Sequence, residues 1–172
     1  MNPKITNEYK VVVAKVPVRG GYIERINITK NYIPLYEINK WLESRERLTT
    51  ARKYAYIMVS YLKYLDSLGM KYRDVITNKV LKGYIKYLLH YDEGNLKVVY
   101  KEPLRSIKTV ESYTRIVQQF YKWLEGEVGS RDMYALVWDY DFRPETNKEQ
   151  YYKENKEYIK WYTDNQIEVL TS

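Results

Sequence analysis

Two sixteen-residue segments of this chain align with each other without a gap: Thr50–Leu65, TARKYAYIMVSYLKYL, and Thr109–Leu124, TVESYTRIVQQFYKWL. Thr50 falls on Thr109, Tyr54 on Tyr113, Ile57 on Ile116, Lys63 on Lys122 and Leu65 on Leu124. Tyr61 falls on Phe120 and Tyr64 on Trp123, aromatic for aromatic. Both segments repeat their apolar residues at intervals of three and four, the spacing of one buried helix face. The fold must therefore hold two equivalent helices. Matched helices with polar, basic outer faces can grip a curved, charged surface such as a DNA duplex.

The charge distribution points the same way. The 172 residues carry a net charge of +7. Residues 1–45 hold 8 basic and 4 acidic groups, residues 46–125 hold 15 and 8, and residues 126–172 hold 6 and 10. The positive charge is thus concentrated where the repeats lie, and the end of the chain is acidic. A basic module is the electrostatic footprint expected of a phosphate-backbone binder, although basic residues also serve solubility. The chain has no cysteine, which removes disulfides, thiolate metal sites and a cysteine nucleophile. The opening MNPKITNEYK lacks the apolar stretch of a signal peptide. No run approaches the roughly 18 apolar residues of a membrane span. A cytoplasmic location without membrane contact is expected.

Along the chain, residues 9–28 are β-branched and alternating around Arg19-Gly20-Gly21, which predicts a β-hairpin. Pro34 is placed to open a first helix to about Arg45, with Leu35, Ile38, Trp41 and Leu42 as its buried stripe. The second helix is predicted from Thr49 to Leu68, stopped by Gly69, with Tyr54, Ile57, Met58, Tyr61, Leu62, Leu65 and Leu68 inward. The third spans Asn78 to Tyr91, with Thr77 as N-cap and Ile76 stapled onto Leu81. Residues 92–105 read as a loop in which Val98, Val99 and Tyr100 form a short strand or an anchor. The fourth helix starts after Ser106 as N-cap and runs to about Glu125, with Tyr113, Ile116, Val117, Phe120 and Leu124 inward. Leu136, Val137, Trp138 and Phe142 are expected to anchor the segment that follows, and a last helix is expected over residues 147–162. The fold class is therefore mainly α. A hairpin arm (1–33) precedes a four-helix unit (34–126), and an acidic, partly helical extension (127–172) follows it.

Catalytic groups are scarce. His90 is the sole histidine, which excludes a metal site built on paired histidines, and its place near a helix end suits a dipole-compensating role. Gly20-Gly21 belongs to the hairpin turn, so there is no phosphate-cradling glycine loop. Asp139 and Asp141 read as residues of a solvated loop. No cofactor and no metal are expected.

A binding signal is clearer. Lys108, Ser112, Arg115, Gln119 and Lys122 recur at i, i+4, i+7, i+11 and i+14, a polar, basic stripe opposite the core face of the fourth helix. The gapless alignment puts Thr49, Lys53, Tyr56, Ser60 and Lys63 at the equivalent positions of the second helix. Arg and Lys neutralise phosphates, while Ser, Thr, Tyr and Gln bond phosphates or base edges. A helix that enters a groove by its N-terminal turn presents that end to the bases. Thr49, Thr50, Arg52 and Lys53 on one helix, and Ser106, Lys108, Thr109 and Ser112 on the other, are therefore expected nearest DNA, followed by Arg115 and Gln119. An ordinary solvated helix face has the same composition.

From about Leu35 to Leu124 the pattern resembles the N-terminal core-binding, SAM-like domain of tyrosine recombinases, the phage-integrase family. The segments that carry the resemblance are LYEINKWLES, TARKYAYIMVSYLKYLDSLGM, VITNKVLKGYIKYLL and SIKTVESYTRIVQQFYKWLEGE, in that order, over roughly half the chain. Val169-Leu170-Thr171 resembles the entry to that family's catalytic domain. The resemblance implies a helical domain forming half of a clamp on the recombination site, for DNA integration or excision, and assembly of protomers into a tetramer on double-stranded DNA. It also implies that catalysis would need arginines, a His-x-x-Arg motif and a tyrosine nucleophile. His90 is followed by Tyr91-Asp92-Glu93, so this motif is absent, no tyrosine can be assigned as nucleophile, and the chain is expected to be a non-catalytic part of such an enzyme. Some integrases carry a β-rich arm-binding domain at the N-terminus; the hairpin is short for that role. A stand-alone DNA-binding accessory protein and a helical protein-interaction domain are the alternative functions.

Overall fold

The computed structural model describes residues 6–92, 95–99 and 105–142. Strands β1 (Tyr9–Val18) and β2 (Gly21–Lys30) pair antiparallel over ten residue pairs, from Tyr9 opposite Lys30 to Val18 opposite Gly21. Gly20 closes the hairpin with φ 91°, a left-handed value that glycine adopts without a Cβ penalty. A third, two-residue strand, β3 (Ile33–Pro34), adds to β2 through Asn31 and Tyr32, both left-handed (φ 50° and 68°). Such a turn suits asparagine followed by glycine, so Tyr32 is held there against its preference. The Asn31 Oδ1 secures the turn by accepting the Glu8 N–H at 2.8 Å.

This strand corrects the predicted start of the first helix. Pro34 lies opposite Thr29 in the sheet, and the helix α1 begins later, at Tyr36–Glu43. Proline has no N–H to give to a ladder, so it sits at a strand edge without loss. The Leu35 N–H bonds Ile28 O at 3.0 Å, which carries the sheet up to the first turn of the helix.

Helix α2 (Leu48–Ser67) ends ahead of Gly69, whose φ of 66° makes the left-handed stop expected of it. Leu68 does not join the core; it is 48% exposed. A single 3-10 turn (Tyr72–Asp74) leads to α3 (Asn78–His90). There Val75 is buried and Ile76 exposed, so the predicted staple by Ile76 is replaced by burial of its neighbour. After α3, the short strands β4 (Tyr91–Asp92) and β5 (Asn95–Val99) pair antiparallel, placing Val98 and Val99 in a strand.

Helix α4 (Ile107–Val128) is capped as expected, with the Ser106 Oγ accepting the Thr109 N–H at 3.1 Å. Gly129 (φ 66°) and Asp132 (φ 62°) turn the chain into a one-turn helix, α5 (Ala135–Trp138). Val137 is buried and Trp138 and Phe142 are half-buried, as anchors should be, whereas Leu136 is 60% exposed. The helix expected over residues 147–162 lies outside the described residues.

The described residues are thus mostly helical, with an N-terminal antiparallel sheet. One core joins β2 to all four long helices, through Ile26 and Ile28, Ile38 and Trp41, Met58 and Leu65, Tyr84 and Leu88, and Val117 and Leu124. It is rich in tyrosine, and the phenols of Tyr61, Tyr84, Tyr121 and Tyr134 are hydrogen-bonded. Tyr84 donates to the Ser60 Oγ at 3.0 Å, and Tyr134 to the Arg73 O at 2.9 Å. The Tyr121 hydroxyl gives its single proton to Tyr72 O at 2.9 Å and so accepts from Tyr61 at 2.7 Å. Burial pushes the phenols of Tyr61 and Tyr121 far above the ordinary tyrosine range, so both stay protonated and can hold these bonds. The sheet is tied to the bundle by the buried Asn39 carboxamide, which accepts the Ile28 N–H at 2.7 Å and donates to Ile28 O at 3.1 Å.

Candidate nucleic-acid interface

The duplicated segments occupy equivalent places in the fold. Leu48 and Ile107, which align with one another, are the first residues of α2 and α4. The aligned pairs Ala51 and Val110, Ala55 and Thr114, Ile57 and Ile116, Met58 and Val117, Tyr61 and Phe120, Leu62 and Tyr121, and Leu65 and Leu124 are buried in both helices. These seven positions make the inner face of each helix, and α2 also buries Val59 and Ser60 while α4 also buries Ile107.

On α4 the stripe is open. Lys108, Arg115, Gln119 and Lys122 are exposed and Ser112 is half-exposed. Ser106 and Thr109 are brought together by the cap, with 2.9 Å between their hydroxyl oxygens, so part of their bonding capacity is spent at the helix start. Arg115 pairs with Glu111 one turn back. The Arg115 side chain is 63% exposed and that of Glu111 19%, so the guanidinium keeps an open flank with donors left for a further anion. The Lys122 ammonium lies 5.0 Å above the Trp138 ring.

On α2, Thr49, Arg52, Lys53, Tyr56 and Lys63 are exposed and Thr50 half-exposed. Ser60 departs from the predicted stripe. Its alignment partner Gln119 faces solvent, but Ser60 is buried and holds the Tyr84 hydroxyl from α3. One flank of α2 is thus covered by α3, and its usable face is narrower than that of α4.

Two cations near α2 escaped the helical pattern because they precede the helix. Arg45 and Arg47 lie in the turn between α1 and α2. With Ser44, Glu46 and Thr50 they line a groove of about 460 Å³. The Arg45 guanidinium packs 5.8 Å from the Trp41 ring and 5.7 Å from that of Tyr54, which fixes its position. Arg47 is the N-cap residue, and no side-chain cap closes this helix start. Arg45, Arg47, Arg52 and Lys53 therefore cluster around the positive end of α2, where Glu46 is the sole acid between them in sequence. The density of arginine in that turn was the available signal.

A further departure concerns Asp139 and Asp141. They are exposed, as a solvated loop requires, but they line the same groove of about 520 Å³ as Arg115, Gln119 and Lys122. Gln118 holds the segment there by donating to Val137 O at 3.1 Å and to Tyr140 O at 2.5 Å. Glu125 holds it from the other side, accepting the Trp138 indole N–H at 2.7 Å and the Tyr134 N–H at 3.0 Å. The Trp138 N–H, foremost among these donors, keeps the Glu125 carboxyl below the ordinary range.

Among the described residues no three His, Asp or Glu side chains gather to hold a metal ion. His90 ends α3, as expected from the sequence. The perturbed phenols of Tyr9, Tyr61, Tyr72, Tyr121, Tyr134 and Tyr140 are all shifted upward, with burial as the largest cause, the direction opposite to nucleophile activation. Among the described residues no helix is long and apolar enough to cross a membrane. No protein-family model, no curated protein and no solved structure matches this chain.

Proposed function

We propose that this chain is a double-stranded-DNA-binding module, the core-binding part of a tyrosine recombinase that grips the recombination site and carries no catalysis itself. The observation that carries this function is the pairing of α2 with α4. Two helices that begin at aligned residues bury the same seven positions and turn basic, hydroxyl-bearing stripes outward. The fold-level expectation, a SAM-like four-helix bundle with a hairpin arm, accords with the order of α1 to α4, and its assignment to that class belongs to the same proposal. Lys108, Arg115 and Lys122 on α4, with Arg45, Arg47, Arg52 and Lys53 at the start of α2, would neutralise phosphates. Thr49, Thr50, Ser112 and Gln119 would position the module and read base edges. In the full enzyme, other protomers would share the DNA.

The test is a titration of fluorescein-labelled duplex by anisotropy over a salt series. Affinity that falls steeply and linearly in log–log form is expected, since each phosphate neutralised releases counterions. Affinity that does not depend on salt, or no binding at low salt, would refute it.

A helical protein-interaction module is the competing function, and one observation favours it. The hairpin leaves Val12, Val13, Val16, Val18, Tyr22 and Ile23 exposed. Apolar side chains gathered on a projecting arm suit a protein surface better than a phosphate backbone. A module of this kind would bind no duplex at low salt.

A further inference from the structure

We infer that residues 139–142 form an acidic strap across the DNA-binding face of α4, which an incoming duplex must displace. This rests on the DNA-binding function proposed above and adds its regulation.

The path of the strap is set by contacts on both sides of it. Tyr134 and Val137 are buried against the bundle. The Gln118 carboxamide binds the carbonyls of Val137 and Tyr140. The Glu125 carboxylate binds the Trp138 indole. With the backbone held before and after it, Asp139 is carried into the groove that contains Arg115, Gln119 and Lys122, and Asp141 follows it there. A carboxylate and a phosphate offer the same thing to a guanidinium or an ammonium, namely anionic oxygens that accept charge-assisted hydrogen bonds. Two carboxylates in this groove therefore stand where phosphate oxygens would approach, and they lower the positive potential that attracts them. Trp138 takes up the Lys122 ammonium as well.

The fastening is graded along the segment. Tyr134 and Val137 are buried, whereas Trp138, Tyr140 and Phe142 are half-exposed. The outer part can thus lift away while the inner anchors hold, because segments with few buried contacts open at low free-energy cost. Lifting it would uncover Arg115, Gln119 and Lys122 together.

The test uses the absence of native cysteine. In the full chain carrying Gln118→Cys and Tyr140→Cys, oxidation ties the strap to α4 and reduction releases it, with a bismaleimide bridging the same thiols where the disulfide does not close. Duplex binding is measured in both states beside wild type and the nearly isosteric Asp139→Asn/Asp141→Asn variant, with circular dichroism confirming the fold of each. The tied form is expected to bind at least about tenfold more weakly than its reduced form. The Asn variant is expected to bind about three- to tenfold more tightly than wild type, the range set by two exposed charge interactions. Equal affinity in the tied and released states, with wild type binding normally, would overturn the strap and leave the DNA-binding function standing. An Asn variant no tighter than wild type would overturn it as well. If wild type and every variant ignore duplex at low salt, the DNA-binding function itself fails and the strap with it.

Discussion

The phenol oxygens of Tyr61 on α2 and Tyr121 on α4 lie 2.7 Å apart in the buried contact between the duplicated helices. They do not have equal duties. Tyr121 serves Tyr61 and the Tyr72 carbonyl together, whereas Tyr61 serves Tyr121. Tyr121→Phe would strand a buried donor and a buried acceptor, and should cost about 2 kcal/mol of stability; Tyr61→Phe should cost about 1 kcal/mol. The double variant should cost less than the sum, since the two share a bond. Urea unfolding of the three variants checks the order, and an equal cost for both single changes would contradict it.

Asn39 is predicted to be the clasp between sheet and bundle. Its carboxamide donates and accepts at the same residue, Ile28, inside the core. Asn39→Asp keeps the size but loses the donor and places a carboxylate where water does not reach, so it should destabilise by about 2 kcal/mol or more. Asn39→Ala should cost less than Asn39→Asp, because it leaves unpaired backbone groups but buries no charge. Chemical denaturation measures both, and a smaller cost for the Asp variant would contradict this role.

Much of this architecture was legible in the chain, and what was missed shares one physical cause. The helices α2 and α4 declare themselves because a buried stripe repeats locally: Ile57 with Ile116, Met58 with Val117, Tyr61 with Phe120 and Leu65 with Leu124 are legible in both, whereas Ala51, Ala55, Val110, Thr114 and Tyr121 lie outside the predicted stripes and are buried by neighbouring elements. The same alignment puts Ser60 on the outer face, since nothing local reveals that α3 covers it. Pro34 carries the sequence preference of a helix start, and only pairing with Thr29 puts it in a strand. Asn39 is a polar residue in a core stripe, and its meaning depends on Ile28, eleven residues away. The basic stripe was readable as periodicity. Asp139 and Asp141 came to lie beside it through Gln118 and Glu125, and such distant contacts leave no local pattern.

Acid should loosen the segment after α4. The Glu125 carboxyl is held below its ordinary value by the Trp138 indole N–H and, next in order among the protein donors, the Tyr134 backbone N–H. A carboxyl whose pKa is lowered by folding contributes stability that is fully present above the unfolded value, near 4.3, and is lost as the pH falls through the lower folded value. As the pH falls through that lowered value, the charge-assisted hold on Trp138 should weaken and its fluorescence should change. Glu125→Ala, which removes the acceptor altogether, should show the detached signal already at neutral pH. A fluorescence signal in Glu125→Ala identical to wild type at every pH would contradict this attachment.

If the paired outer faces of α2 and α4 bind duplex DNA, as proposed, three double charge reversals compared at one salt concentration will separate that function from overall charge: Arg52→Glu/Lys53→Glu on α2, Lys108→Glu/Arg115→Glu on α4, and Lys79→Glu/Lys86→Glu on α3. All six residues are exposed, and each pair changes the net charge by the same amount. Binding should be lost in the first two variants and largely retained in the third. Equal loss in all three would reduce the effect to overall charge, and full binding by the α4 variant would contradict the proposed function outright.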